Sequence, residues 1–309
     1  MEKKYVSMKE VTDEDYKNFL KKHREVTIEN VELRIGDNRK IEKINPEIFI
    51  PESTTVWSFP NRGDWATHNL NPKYRGNWAP QVPRNLILKY LPEPKKNDIV
   101  LDQMVGSGTT LIECKLLGIN AIGIDINPDA VMVTRDRLNF SLPLKHQKSE
   151  QKTYIGDARN LNLIDPESIS LIATHPPYAS IISYSNERIE GDLSRMRKID
   201  EFIEEIGKFA SESFRILKPG RHCAVLMGDT RRHQHYIPIT VRMMQAFLDV
   251  GFILREDIIK LQHNMKSTRE RWRGSKYLFY KIAHEHLFVF RKPMKDEKIS
   301  EFKESTKWW

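Results

Sequence analysis

Cysteine is nearly absent. The 309 residues hold two, Cys114 and Cys223, far apart and with no CxxC or Cys/His ligand spacing. That argues against a disulfide framework and a structural zinc site. Both cysteines lie in apolar stretches and read as small buried hydrophobes. Long apolar runs are missing too. Nothing approaches the roughly 18 residues that a membrane span requires, and the opening MEKKYVSMKE lacks the apolar segment of a secretory signal. A soluble, cytoplasmic protein with no membrane partner is therefore expected. His233 and His235 are close in sequence, but no carboxylate or cysteine stands at a ligand spacing from them, so no metal is expected. Internal repeats and low-complexity tracts are also lacking.

What is present begins with a basic surplus: 50 Lys and Arg against 42 Asp and Glu, a net charge of +8. This is compatible with a polyanionic partner, although many basic proteins bind no nucleic acid. Residues 1–50 are charge-rich, with a helix expected over 13–22, opened by Thr12 as N-cap and acidic residues in its first turn. The segment 51–83 is rich in proline and carries Trp57, Trp65 and Trp78. It reads as ordered but irregular, since linkers seldom hold that many tryptophans. Those rings suit either a satellite core or contacts near a site. From Asp98 onward, strand-like runs (DIVLDQM, NAIGIDI, KTYIGDA, ISLIATH, RHCAVLMGD, FILREDIIKLQ, HEHLFVFRKP) alternate with helical ones. Among the helical runs, the stretch from Ile199 is expected to stop at Lys218-Pro219-Gly220. Such alternation predicts an α/β fold with a doubly wound, mostly parallel seven-stranded sheet. No helical pattern separates the last two strands, so an antiparallel hairpin at one edge is expected. The corresponding division is a charged N-terminal extension (1–50), one domain (51–293) and a charged tail (294–309).

The first strand leads into Asp102-Gln103-Met104-Val105-Gly106-Ser107-Gly108-Thr109. Glycines here let backbone approach a ligand, and the helix that follows offers free N–H groups. The spacing is neither GxGxxG, because Leu111 stands at the third position, nor a P-loop, because no GK[ST] follows. Asp125 ends the next strand, where a carboxylate can accept both ribose hydroxyls, and Asp157 ends the one after. Each acid alone could be a cap or turn residue. Together they outline a nucleoside-sized crevice suited to an adenosine with a charged tail and no phosphates.

LDQMVGSGTTLIECKLLGINAIGIDINPDA resembles the S-adenosylmethionine motif of the DNA amino-methyltransferases, the N4-cytosine/N6-adenine DNA methylase family. THPPY (174–178) resembles the family's catalytic [DNS]-PP-[YFW] motif. WAPQVPRNLI resembles the segment that closes over the methionine end of the cofactor, and HEHLFVFRKP the closing strand. The resemblance covers about residues 55–293. It implies a class I, Rossmann-like methyltransferase with S-adenosyl-L-methionine as cofactor and double-stranded DNA as partner, and it allows a cognate restriction endonuclease. It carries cofactor contacts to Asp102, Met104, Gly106, Gly108, Thr109, Asp125, Ile126, Asp157, Ala158, Thr174, Trp78 and Pro80. It carries catalysis to His175, Pro176, Pro177 and Tyr178.

The chemistry explains why a strand should end in that way. A base's exocyclic amine is a poor nucleophile, because its lone pair is conjugated into the ring. Two acceptors for its hydrogens let the nitrogen become tetrahedral as it attacks the methyl group. Prolines fix a rigid turn that can hold such an acceptor, and an aromatic can stack on a flipped-out base. By resemblance the acceptors are His175 and the Pro176 carbonyl, and Tyr178 stacks. His175 departs from the family, whose adenine enzymes carry Asp or Asn there and whose cytosine-N4 enzymes carry Ser. The lack of Asp or Asn tips the expectation toward cytosine N4 over adenine N6. A neutral imidazole accepts one hydrogen bond, so activity is expected to weaken below about pH 6.5. Neither cysteine follows a proline as in carbon-5 methylases, so a covalent route is not expected.

The cofactor segment precedes the catalytic motif, the reverse of many family members, so recognition must lie elsewhere. Candidates are 1–50, 182–198 and HNMKSTRERWRGSKY (263–277), the last basic with interleaved aromatics. Nucleic-acid contacts are assigned to Arg231, Arg232, Lys266, Arg269, Arg271 and Arg273, against the plainer reading of a solvated charged loop. Two rival readings stay open: the same chemistry on RNA or on a protein glutamine amide, and a catalytically inactive nucleic-acid-binding homologue. The intact Asp102, Gly106, Gly108, Asp125 and Pro176-Pro177-Tyr178 weigh against the latter.

Overall fold

Strands of four to six residues, buried on both faces, need helices above and below them, and the chain supplies these in alternation. The computed structural model describes residues 5–28, 30–37, 41–74, 76–143, 148–178, 189, 191–263 and 278–306. Its elements begin with β1 (Lys9–Val11), α1 (Asp13–Leu20), β2 (Glu25–Ile28), β3 (Val31–Arg34), β4 (Val56–Trp57) and α2 (Gln81–Tyr90). The central part contains β5 (Ile99–Asp102), α3 (Thr109–Leu117), β6 (Asn120–Asp125), α4 (Pro128–Leu138), β7 (Gln151–Ile155) and β8 (Ile169–Thr174). The chain continues through α5 (Ile199–Ile216), β9 (Leu217–Met227), β10 (Thr230–Arg232), β11 (His235–Ile237), α6 (Ile239–Val250), β12 (Ile253–Leu261) and β13 (His284–Arg291).

The main sheet runs β1-β7-β6-β5-β8-β9-β13-β12-β4. Its seven middle strands are those expected, with β7, β6, β5, β8 and β9 parallel and the β12/β13 hairpin antiparallel. Two short strands extend it to nine. β1 pairs antiparallel with β7, and the two-residue β4 pairs parallel with β12, so the hairpin is not the outermost element. Period-2 alternation could not reveal strands this short. The first fifty residues thus contribute an edge strand. They also contribute the β2/β3 hairpin, whose Val26, Ile28 and Leu33 pack with Ala130 and Val133 of α4.

All six residues of β8 are buried. One face of the sheet is covered by α5 and α6, through Phe202, Ile206, Phe209 and Phe247. On the other face, the chain around α2 and α3 packs Ile87, Leu111, Ile112 and Cys114 onto Val100 and Leu171. A buried side chain of this size contributes roughly 1.5–3 kcal/mol, so these two layers supply much of the driving force. The buried positions of α5 (Phe202, Ile206, Phe209, Ser213, Ile216) recur every three or four residues, as an amphipathic helix requires. This helix ends at Ile216, two residues before the stop read from Lys218-Pro219-Gly220. Those three residues belong to β9, because pairing with β8 begins at Leu217. The first helix ends at Leu20, also two residues early, and it opens with a full Thr12/Asp15 capping box.

All three tryptophans are core residues. Trp57 and Trp78 pack with Val82, Leu86 and Leu226, and Trp65 joins the cluster around Val100. The Trp65 indole donates to Glu113 Oε1 at 2.7 Å. Glu113 is fully buried, contacts His68 Nε2 at 2.7 Å, and accepts from Arg84 Nη1 at 2.7 Å. Burial drives the His68 imidazole down to about 4, only partly offset by Glu113. One carboxylate therefore ties the irregular 51–83 segment and α2 to α3. Glu113→Ala, which strands the Arg84 guanidinium, is expected to cost about 3–5 kcal/mol in urea unfolding.

Candidate active site

β5 and β8 are neighbours, and the chain leaves them in opposite directions across the sheet, which opens a crevice at their C-terminal ends. Two loops meet there: the 102–108 turn and the segment that starts at Thr174. Asp102 is buried and accepts from the Thr110 hydroxyl at 2.5 Å and from the Met104 amide at 3.2 Å. Burial raises its carboxyl to about 6, against the lowering effect of Thr110, Thr174 and Met104. Asp125 accepts the Gly106 amide on Oδ2 and the Asn127 amide on Oδ1, each at 2.9 Å. Burial likewise raises it to about 6, and the carboxylates of Asp192 and Asp102 add to the rise.

The two glycines do different work. Gly106 has φ +52 and lines the crevice, and a Cβ there would come within 3.1 Å of the Tyr74 hydroxyl. Gly108 has φ +82 at the N-cap of α3, where a Cβ would press on Thr134 Cγ2 of α4 at 2.8 Å. Helix packing and the positive φ are enough to require Gly108.

The crevice encloses about 730 Å³, including its open mouth. Of the positions expected to hold a cofactor, Met104, Gly106, Asp125, Ile126, Asp157 and Ala158 line it, together with His175 and Pro177. Asp102, Gly108, Thr109, Thr174, Trp78, Pro80, Pro176 and Tyr178 lie outside the lining. Thr109 is buried at the start of α3, Thr174 is the last residue of β8, and Pro80 is the N-cap of α2. Asp157 reaches the wall already paired. Arg159 Nε donates to its Oδ1 at 2.8 Å and Nη2 to its Oδ2 at 2.6 Å, and the same guanidinium bonds Glu205.

Other wall residues escaped the sequence reading: Tyr74, Gly76, Gln103, Asn127 and the 191–193 segment. Asn127 was legible as the N-cap before Pro128. The others come from loops whose approach only the fold decides.

His175 is the first residue after β8. Trp78 stacks on its ring, with centroids 6.0 Å apart and planes 25° apart. Trp78 therefore backs the histidine. His175 Nε2 lies 2.9 Å from the Tyr178 hydroxyl, and that hydroxyl donates to Glu285 Oε1 on β13. Lys260 on β12 donates to Glu285 Oε2 at 2.7 Å. Burial alone would raise Glu285, but Lys260, His175 and the Tyr178 hydroxyl outweigh it and take the carboxyl to about 2. Burial lowers His175 below the ordinary imidazole range, with Glu285 opposing and Lys260 reinforcing the shift. The expected loss of activity below about pH 6.5 therefore moves to lower pH. Glu285 and Lys260 were missed, although a glutamate inside the apolar HEHLFVF run is a signal, since buried carboxylates are nearly always paired.

Arg231 and Arg232 lie on the β10/β11 hairpin, where both are engaged internally. Arg231 donates to the Tyr280 carbonyl at 2.8 Å and packs over the Phe279 ring, and Arg232 donates to the Arg197 carbonyl at 2.8 Å. Lys266, Arg269, Arg271 and Arg273 lie outside the described residues, as do most of 182–190.

The sheet order and the switch-point crevice define a Rossmann-like class I methyltransferase. The chain belongs to the DNA methylase family of N6/N4 type, whose family model matches residues 4–136 and 169–308. It is 37% identical over 71 residues to the Type II methyltransferase M.MjaII of Methanocaldococcus jannaschii, covering 23% of this chain and 13% of that protein. It is 32% identical over 147 residues to the tRNA (guanine(10)-N2)-dimethyltransferase of Methanothermobacter thermautotrophicus, covering 48% of this chain and 41% of that protein. The chain thus spans less than half the length of either relative. A SAM-dependent methyltransferase from Methanosarcina mazei has a similar fold, with 15% identity and a TM-score of 0.46 over 68% of this chain and 98% of that one.

S-adenosylmethionine is the cofactor of this family, and the residues present fit it. A half-buried carboxylate at the end of β6, a glycine backbone free of Cβ and an apolar floor of Ile126 and Ala158 suit an adenosine. Among the described residues, no Lys or Arg lines the crevice to take phosphates.

The raised Asp102 carboxyl gives a stability prediction with a definite sign. Its folded value of about 6 lies above the unfolded value of about 3.9, so the folded state binds more protons between them. Its contribution is therefore fully present below the unfolded value and is lost as pH rises through 6. Relative to Asp102→Asn, the wild-type protein should gain about 1 kcal/mol in urea unfolding between pH 7 and pH 5. A difference independent of pH would place the titration elsewhere.

Proposed function

We propose that this chain transfers a methyl group from S-adenosylmethionine to the exocyclic amine of a base flipped out of double-stranded DNA, with N4 of cytosine as the target. One observation carries the reading. A buried imidazole held below its ordinary pKa range and the proline-fixed turn beside it stand on the wall that also presents Asp125. Nucleoside site and amine acceptor therefore face one space.

In this reading Asp125 accepts the ribose hydroxyls, the turn at Met104 and Gly106 bounds the cofactor, and Ile126 and Ala158 pack on its adenine. Asp102 acts from behind by bracing the turn. The bound cofactor supplies an electrophilic methyl group on a sulfonium. Tyr178 stacks on the base, with Gly228 leaving room for its ring: a Cβ there would lie 3.1 Å from Tyr178. His175 and the Pro176 carbonyl accept the two amine hydrogens. The amine nitrogen would then take the methyl group that the cofactor supplies, and the proton it loses would pass to the neutral His175 ring, whose one free lone pair can hold it. Cytosine is placed first because position 175 carries neither Asp nor Asn. The net charge of +8 favours a polyanionic substrate.

A second reading has its own support. One relative is a dimethyltransferase acting on guanine N2 in tRNA, also an exocyclic amine. An RNA substrate would use the same site.

Mass spectrometry of nucleosides from an expressing host that lacks its own methylases separates the readings. N4-methylcytosine in DNA is expected. N6-methyladenine would overturn the base, and methylation confined to RNA would favour the second reading. His175→Ala should lower transfer by about 10²-fold or more while calorimetry finds cofactor binding intact. The acid limb of kcat/KM should fall below pH 6.5, because burial lowers the pKa of the His175 ring whose protonation silences it. A limb at or above 6.5 would separate it from His175.

A further inference from the structure

We propose that Glu285 is a positioning residue which, through the Tyr178 hydroxyl, keeps the His175 hydrogen on Nε2 and so leaves Nδ1 as the acceptor for the target amine. The inference rests on the reading of His175 as that acceptor, and it names the atom and what sets it.

The argument is one of hydrogen counting. Tyr178 has one hydroxyl hydrogen. Glu285 is held ionised by Lys260, whose ammonium donates to its Oε2 at 2.7 Å, so its Oε1 can only accept. The Tyr178 hydrogen therefore goes to Glu285. The Tyr178 oxygen, 2.9 Å from His175 Nε2, has no hydrogen left for the ring and must accept from it. In the neutral imidazole this puts the one N–H on Nε2 and the lone pair on Nδ1. Nδ1 is buried and, among the described residues, makes no hydrogen bond of ordinary geometry. A Gly76 backbone acceptor also approaches the ring, favours its charged form and so competes with the Tyr178 oxygen for the ring hydrogen, and it too lines the crevice. For the amine to reach Nδ1, the exposed Gly76 backbone must yield. Trp78 fixes the plane of the ring.

The four residues come from three places: the loop after β8 and the two strands of the antiparallel hairpin. The hairpin thus reaches the chemistry without touching the cofactor crevice. A simple ion pair would be indifferent to the tautomer, whereas here the donors converge on Glu285, from Lys260 on one side and from His175 through the Tyr178 hydroxyl on the other.

The test uses long-range ¹H–¹⁵N correlation spectra of the ligand-free full chain labelled at histidine nitrogen. His175 is assigned by the signal lost in His175→Gln. The wild-type protein at pH 7 is expected to show the hydrogen on Nε2. Tyr178→Phe, which keeps the ring and removes one oxygen, and Glu285→Gln should each mix the tautomers or reverse them. Both should retain cofactor binding by calorimetry, which guards against misfolding. In Glu285→Gln, kcat is expected to fall about tenfold or more with the cofactor KM unchanged, and the acid limb should move to lower pH. That sign follows from losing the only facing anion: among the described residues, the charged groups acting on His175 are Glu285 on β13 and Lys260 on β12.

A wild-type Nδ1–H tautomer, or spectra unmoved in both variants, overturns the proposal and leaves the methyltransferase reading standing. Full transfer by His175→Ala, which has no acceptor at this position, overturns the role on which both depend.

Discussion

The site depends on a geometric constraint at the end of β8. A parallel strand buried on both faces cannot leave its polar backbone unpaired, so its neighbours β5 and β9 must hold it until the sheet stops. There the β5 and β8 loops diverge and leave a crevice that no side chain of the core fills. Two prolines follow His175 at that point, and their fixed backbone angles hold the histidine and the carbonyl behind it where the sheet delivers them. Loss of packing at Ile172 or Val225 would displace the site even though neither residue touches it.

Buried charge is handled in two ways around the crevice. Asp157, Arg159 and Glu205 form a closed set in which each charge has an opposite partner, and this suits a wall that should not move. Among the described residues Asp102 and Asp125 have no such partner and instead collect amide and hydroxyl donors, which leaves both carboxyls well above the ordinary range. Asp125 is the one of the two that faces the crevice. A carboxylate that still has acceptor capacity there is chemically available, and Asp157 is held in place by three bonds from Arg159.

The sequence reading identified most of the architecture, because its signals were local. Apolar runs bounded by Gly, Asn and Pro marked the seven central strands, and Asp102, Asp125 and THPPY fell at their ends by simple counting. The errors were also local in origin. Leu217 looked helical until strand pairing claimed it. β1 and β4 are too short to show a period. Gly106 and Gly108 look alike in sequence, yet one lines the crevice beside Tyr74 and the other meets Thr134.

What the sequence determined on its own was the alternation that forces a doubly wound sheet and the chemistry at the end of its fourth central strand. Both depend on residues close together in the chain. The use of Trp78 as a backing for His175, and the delivery of Glu285 and Lys260 to Tyr178, were decided only by the tertiary structure. These partners lie about a hundred residues from each other along the chain. Only the antiparallel pairing of β13 with β9 and β12 brings that carboxylate under the turn at Pro176 and Pro177. Local propensity carries no information about such a meeting, because hydrogen-bond partners across a sheet are chosen by register and not by spacing in sequence.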